Sequence, residues 1–338
     1  MVIVDDGADG QATAASAGII MPWATNTDGI YYQLYADGAA YYPELLEQLA
    51  EAGVQRTDFR RNGGLIVNAD PDRLTAVHDL LVQRKAAAGA VVGNIDRIDN
   101  AAARELFPPL ADGLEAIFVS GGGRVDGRTL RDALLQAAET LGAHRRHGHA
   151  EIRMAGGRAI AAVDGEPIGA DAVVVAAGAW TSELLSSVGF AVPVAPQRGQ
   201  ITHLRVAADT TNWPTVNPLS HHYLVAFDAS RVVVGATRET DSGFDVRVTA
   251  AGQLQVLQDA LSVAPGLADA SIIETRVGLR PSADEPIAGA VAALPGVHVV
   301  TGYGPAGLTM GPRLGDVLAR QVLGEPTPEI DAIAPQPA

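Results

Sequence analysis

Met1-Val-Ile-Val-Asp-Asp6 opens the chain, and a small, polar stretch from Gly7 to Gly18 follows, overlapping Gln11-Ala-Thr-Ala-Ala-Ser-Ala-Gly-Ile-Ile20. An apolar run that ends in acid reads as a buried strand with a carboxylate at its tip. Dinucleotide folds place such an acid at the end of their second strand, where it binds the ribose hydroxyls. Asp5 suits that role, and a solvated acid at a strand end is the plain alternative. The run after it shifts the balance. Residues without bulk let backbone N–H groups approach an anion closely, as pyrophosphate binding needs. A simple flexible loop is the competing account.

The glycine fingerprint of a dinucleotide site should precede that acid by roughly 20 residues, and the chain begins at the acid-bearing strand instead. One Gly-x-Gly-x-x-Gly does occur, at Gly302-Tyr-Gly304-Pro-Ala-Gly307, between an apolar strand and a helix. It is not the dinucleotide fingerprint itself, because after one helix Pro326-Thr-Pro328 leaves no room for a strand with a ribose acid. It still feeds a glycine-lined loop into a helix N-terminus, whose partial positive charge favours an anion.

Outward from these stretches, the element order is α/β, then antiparallel β, then α/β. Helical spacing covers Asp37–Ala52, Pro71–Ala88, Asn100–Leu106, Gly127–Leu141, Thr249–Val263 and Ala306–Leu323. Strand patterns cover Phe59–Asn68, Gln200–Val206, Tyr223–Phe227, Val232–Ala236, Ile272–Leu279 and Val297–Thr301. Ala172–Ala177 is a continuous apolar run of the kind parallel sheets bury on both faces. Pro326 to Ala338 reads as an extended tail. An α/β sheet domain interrupted by a mostly antiparallel domain accounts for this order.

Composition narrows the function classes. With 39 acids against 24 Lys and Arg, the net charge of −15 repels phosphate backbones, so nucleic acid is not an expected partner. There is no cysteine, which removes disulfides, thiolate metal sites and thiol nucleophiles. No apolar run is long enough for a transmembrane segment, no signal peptide opens the chain, and a cytoplasmic location is compatible. Serine elbows and a phosphate-binding P-loop are absent.

Four further positions bear on the chemistry. Gly278-Leu-Arg280-Pro281 places an arginine at a strand end, where its fork can hold a carboxylate through two hydrogen bonds; a surface arginine is the bland reading. His221, His222 and Tyr223 begin a strand, with 221 and 223 on one face. Without an acid or third histidine at ligand spacing, no metal is expected there, and pocket lining or strand packing is preferred.

Taken together, the chain resembles the D-amino acid oxidase superfamily of FAD-dependent oxidoreductases, with D-amino acid dehydrogenases and glycine or sarcosine oxidases as its nearest look. The landmarks are Ala14-Ala-Ser-Ala-Gly-Ile-Ile-Met-Pro22, Gly123-Arg-Val-Asp-Gly-Arg128, Asp171-Ala-Val-Val-Val-Ala-Ala-Gly-Ala-Trp180 and Pro196-Gln-Arg-Gly-Gln200. Tyr223-Leu-Val with Arg231-Val-Val-Val-Gly-Ala-Thr237, Gly278-Leu-Arg-Pro281 with Asp284-Glu-Pro-Ile-Ala-Gly289, and Gly302 to Pro312 complete them in family order.

The resemblance implies a Rossmann-like, glutathione-reductase-type FAD-binding domain formed by residues 1–55, 122–190 and 275–325, its N-terminal strand and helix missing. A mostly antiparallel α+β substrate domain, 56–121 and 191–274, is inserted into it, and 326–338 is a tail. FAD is the implied cofactor. Asp5 and Asp6 match the ribose acid, and Ala12, Thr13, Ala17, Gly18 and Ile19 match the segment passing the pyrophosphate. Ala150 matches an adenine-contacting strand, and Ala177 and Gly178 belong to the same cofactor wall. Tyr303, Gly304, Pro305, Ala306, Gly307, Leu308 and Thr309 match the loop over the isoalloxazine. Arg280 matches the arginine that clamps the substrate carboxylate, and His221 and Tyr223 match pocket-lining positions.

The implied reaction is oxidation of a small amino acid or amine of the D-amino acid, glycine or sarcosine class, by hydride transfer to the flavin. Electrons would pass to oxygen or to a quinone, the latter with peripheral membrane association. A homo-oligomer is compatible. Two departures stand out: Pro305 replaces a second arginine found in glycine oxidases, and Arg238 replaces an apolar pocket residue, where it could help hold a carboxylate. The rival readings are an N-terminally truncated, cofactor-poor and inactive relative, and a tRNA-modifying module, which the charge disfavours.

Overall fold

The computed structural model describes residues 1–336. Its first half runs β1 (Val2–Asp5), β2 (Ile19–Ile20), α1 (Gly29–Glu51), β3 (Gly64–Asn68), α2 (Pro71–Ala88), β4 (Ile95–Ile98), α3 (Asn100–Leu106), β5 (Glu115–Val119) and β6 (Gly123–Arg124). Next come α4 (Gly127–Thr140), β7 (His144–His147), β8 (Ala150–Ala155), β9 (Arg158–Val163), β10 (Glu166–Ile168), β11 (Val173–Val175) and α5 (Thr181–Ser186). The rest is β12 (Ala195–Arg205), β13 (Thr215–Asn217), β14 (Tyr223–Phe227), β15 (Arg231–Gly235), α6 (Ala250–Val263), β16 (Ser271–Ala290), β17 (Val297–Tyr303) and α7 (Gly307–Val322).

A ten-stranded mixed sheet, in the order β11-β17-β16-β12-β15-β14-β13-β3-β5-β4, is the frame of the molecule. Strand β1 pairs in parallel with β7 in a separate two-stranded ribbon, and β8, β9 and β10 form a small antiparallel sheet. Helix starts follow side-chain chemistry. Asp70 accepts from the amides of Asp72 and Arg73, Asp99 from Ala102, Asp126 from Thr129 and Thr249 from Gly252. Each satisfies an amide that the first turn leaves unpaired, a contribution of about 1 kcal/mol. The β14–β15 hairpin turns through Ala229 and Ser230, both at positive φ, the geometry that matches the twist of paired strands.

Four expectations need correction. Helix α1 starts at Gly29 rather than Asp37. Its first turns are rich in tyrosine and lack a side-chain cap, so no local signal announces them. The strand expected from Phe59 begins only at Gly64. Strand β11 does pair in parallel with β17, but it is the outer strand and Val174 is 48% exposed, so it is not buried on both faces. Lastly, 326–336 is no extended tail: a short 3-10 turn, Pro328–Ile333, buries Ile330 and Ile333 against Leu314, Val317 and Leu318 of α7. The last two residues of that expected tail lie outside the described residues.

Candidate active site

A single cavity of about 2410 Å³ runs from Asp5 at the tip of β1 to Tyr223 at the start of β14. Small-molecule sites usually occupy about 300–1,000 Å³, so the space exceeds what a small amine needs. At the β1 end, Asp5 Oδ1 accepts from the amide of Gly7 at 2.7 Å and from Gln11 Nε2 at 2.9 Å. Asp6 Oδ1 accepts from the amide of Ala8 at 3.0 Å. These bonds shape the loop that leads into the 3-10 turn Ala12–Ala15.

That turn is fixed from behind. The carbonyl of Ala14 accepts from Arg128 Nε at 3.2 Å and from Arg276 Nη1 at 3.3 Å. Gly18 has φ +70°, and a Cβ there would fall 1.7 Å from the carbonyl oxygen of Val125. Only glycine satisfies both demands. The Gly18 carbonyl also receives the Val125 amide at 2.8 Å, and the Thr309 hydroxyl donates to the Ile19 carbonyl at 3.2 Å.

Across the cavity, β17 delivers Tyr303 and the glycine loop to the N-terminus of α7. Hydroxyls pin this loop: Tyr31 donates to the Tyr303 carbonyl at 3.0 Å and Tyr42 to the Leu308 carbonyl at 2.6 Å. The Tyr303 hydroxyl itself is buried without a partner among the described residues, and burial raises its pKa. The Tyr35 phenol is pushed up to about 12, desolvation being the largest cause. Every phenol here is therefore neutral at ordinary pH.

At the cavity's far end stand two arginines. Arg280 is not at a strand end as expected but within β16, opposite Gln197 of β12. Its Nη1 donates to the Thr237 carbonyl at 3.0 Å and lies 3.4 Å from Gln197 Oε1. Its guanidinium lies across Gly199, where a Cβ would sit 2.5 Å from Nη2. Arg238 follows Thr237 and is open to the cavity. Partial desolvation first, then the charge of Arg280, lower its pKa. Burial raises the pKa of Tyr223 while both guanidiniums oppose that shift.

His221 lines this end from an exposed position, ahead of β14 rather than on it. His222 is only 5% exposed, with neither ring nitrogen partnered among the described residues. Desolvation pulls its pKa down to about 4, so it is a neutral packing residue. Among the described residues no group of three His, Asp or Glu is placed to hold a metal ion.

The cavity gathers nearly all the sequence candidates. Asp5, Asp6, Ala12, Thr13, Ala17, Gly18 and Ile19 line one wall, with Ala150, Ala177 and Gly178 beside them. Tyr303, Gly304, Pro305, Gly307, Leu308 and Thr309 face them, and His221, Tyr223, Arg238 and Arg280 close the end. Ala306 is the exception: it is 2% exposed and packs with Leu34 and Met310 in the core. Sequence reading missed Tyr31, Gln197 and Gly199 as site residues, although the last two sit in the quoted Pro196–Gln200 landmark.

The residues fit a dinucleotide cofactor. The cavity is elongated, Gly178 and Gly304 present backbone to it with no atom within 3.8 Å of where a Cβ would stand, and a 16-residue helix points its positive end inward.

Such a fold and cavity define a dinucleotide-dependent redox enzyme. Residues 1–321 match the model of the DAO family, described as FAD dependent oxidoreductase. The chain is 42% identical over 346 aligned residues to the uncharacterized oxidoreductase YurR of Bacillus subtilis strain 168, covering 100% of this chain and 92% of that one. The solved structure of iminodiacetate oxidase from Chelativorans sp. BNC1 is similar at a TM-score of 0.96 and 45% identity, over 99% of this chain and 92% of that one. Glycine oxidase from Geobacillus kaustophilus follows at a TM-score of 0.87 and 25% identity, over 99% and 91%. The chain belongs to the DAO family of FAD-dependent oxidoreductases. No helix among the described residues is long and apolar enough to cross a membrane.

Proposed function

We propose that the chain carries out FAD-dependent oxidation of a small amine or amino acid that bears a carboxylate, in the class spanned by D-amino acids, glycine and sarcosine. The observation that carries this reading is Arg280: a guanidinium braced by Thr237 and Gln197, laid over Gly199, in the same cavity as the 303–309 loop. A bidentate grip on a carboxylate would fix the neighbouring α-carbon and so orient its hydrogen. The similar proteins named for iminodiacetate and glycine both act on amines with a carboxylate one carbon from nitrogen, which supports the same class here.

When bound, FAD supplies the two-electron acceptor, receiving the α-hydrogen as hydride at N5. Asp5, the 12–19 segment, Gly178 and the 303–309 loop are the residues assigned to hold it. The substrate loses that hydride from carbon and a proton from nitrogen, becoming an imine. Water then splits the C=N bond into an oxo acid and ammonia or a free amine. The protein's part is orientation and electrostatics. Tyr223 stays protonated and can donate a hydrogen bond, the Tyr31 hydroxyl being committed to the Tyr303 carbonyl, and no side-chain base is needed once the amine is neutral. Reoxidation of the cofactor would need an acceptor such as oxygen or a quinone.

The test is a screen of FAD-loaded protein against glycine, sarcosine, proline and D-amino acids, with an artificial electron acceptor. Turnover with one of these and release of the matching oxo acid is the expected result. Loading with FAD but no turnover on any small amine or amino acid would overturn the reading.

A further inference from the structure

Arg280 and Arg238 share one stretch of cavity wall, since the carbonyl that braces Arg280 belongs to the residue just before Arg238. Among the described residues neither Arg238 nor Arg280 forms an ion pair with a carboxylate: Arg280 donates to the Thr237 carbonyl and to Gln197 Oε1, and Arg238 lines the cavity beside it. The chain is not short of acids, having 39 of them. Glu239, next to Arg238, is engaged by Arg198 at 2.6 Å instead. Arg231 and Arg276 have Asp126 and Glu274 at 2.9 and 2.6 Å.

Two like charges left without a counter-ion repel, and a ligand that brings one negative charge relieves only half of that. We propose that the substrate is a dicarboxylic amine, one carboxylate held by Arg280 beside the reacting carbon and the second held by Arg238. This rests on the oxidation of a carboxylate-bearing amine proposed above, and it names the substrate class. The second carboxylate can sit on the nitrogen's other arm, as in iminodiacetate, or further along the carbon chain, as in aspartate. In the first case one arm's C–H breaks, two electrons go to FAD, C=N forms, and water releases glyoxylate and glycine. In the second the products are an oxo diacid and ammonia.

The experiment has two arms on FAD-loaded protein. Turnover is compared for iminodiacetate and D-aspartate against sarcosine and glycine. Binding is compared by calorimetry for diglycolate, the redox-inert ether analogue, against methoxyacetate, which lacks the second carboxylate. A diacid should exceed the monoacids in kcat/KM by about tenfold or more, and diglycolate should bind more tightly than methoxyacetate. Arg238→Met should lower the diacid-to-monoacid ratio by about tenfold, to near unity, and remove the diglycolate advantage, while Arg238→Lys recovers much of both.

Equal binding of diglycolate and methoxyacetate, or a ratio untouched in Arg238→Met, would overturn the proposal. Turnover of monoacids alone would do the same while leaving amine oxidation standing. A diglycolate advantage without turnover of any amine would keep the two-cation site and remove the oxidation reading.

Discussion

Arg198, Arg231 and Arg276 each reach a carboxylate at 2.6–2.9 Å, whereas Arg238 and Arg280, on the same sheet and its flanking loop, reach none among the described residues. Arg198 and Arg231 neutralise acids 41 and 105 residues away, Arg276 one on its own strand, and all three are largely enclosed by protein. A guanidinium matched within the fold serves the fold, because an enclosed charge without a partner costs several kcal/mol. A guanidinium left unmatched at a cavity wall keeps its attraction for a ligand. The contrast sets Arg238 and Arg280 apart from the enclosed, carboxylate-matched arginines of the same sheet.

The sharpest way to break this contrast is Arg280→Ala. It should lower kcat/KM by about 2–5 kcal/mol of transition-state stabilisation, with little change in thermal stability. Steady-state kinetics with melting curves checks both halves. Undiminished activity would remove Arg280 from its role. Asp126→Ala should do the reverse. It deletes the cap of α4 and the partner of Arg231, costing about 2–4 kcal/mol in denaturant melts. Preserved stability would mean that the matched pairs do not hold the fold.

A third test uses acid. His222 and His203 are buried, with pKa values lowered from 6.5 to about 4 and about 3; desolvation leads in both, followed for His203 by Arg276 and Arg231. Below about pH 6.5 the unfolded chain takes up protons that the native chain refuses. Stability contributed by keeping these rings neutral is present above that pH and lost as pH falls toward 4. The loss should reach about 1–2 kcal/mol per histidine by about pH 5. His222→Gln should remove its share, seen as a shallower decline between pH 7 and 5; an identical decline would contradict the assignment. Smallest of all, Arg104→Ala breaks the exposed pair with Asp112 and should change stability by less than about 0.5 kcal/mol. A larger loss would blur the line between exposed and enclosed pairs.

What the sequence made legible were features with local causes. Helices α2 and α3 appear residue for residue as expected, because Asp70, Pro71 and Asp99 mark their starts by cap chemistry. The loop carrying the Gly302–Gly307 motif and the small-residue run before Ile19 line one cavity. What was illegible depends on partners far away in the chain. The first turn of α1 is held by Tyr31 reaching residue 303, a separation of 272 residues, and its middle by Tyr42 reaching residue 308. Arg280 was expected at a strand end because Pro281 follows it, yet β16 continues through the proline. Gly199 lies just outside the expected Gln200–Val206 strand, and only the packing of the Arg280 guanidinium across it gives it a place in the site.

Central to the account is a carboxylate gripped by Arg280 inside the cofactor cavity. A crystal structure of the FAD-loaded protein with diglycolate measures this directly. One carboxylate should lie within hydrogen-bond reach of the Arg280 guanidinium, near the 303–309 loop, and the other at Arg238. A ligand bound away from both arginines, or FAD seated outside the cleft between the 12–19 and 303–309 segments, would contradict it.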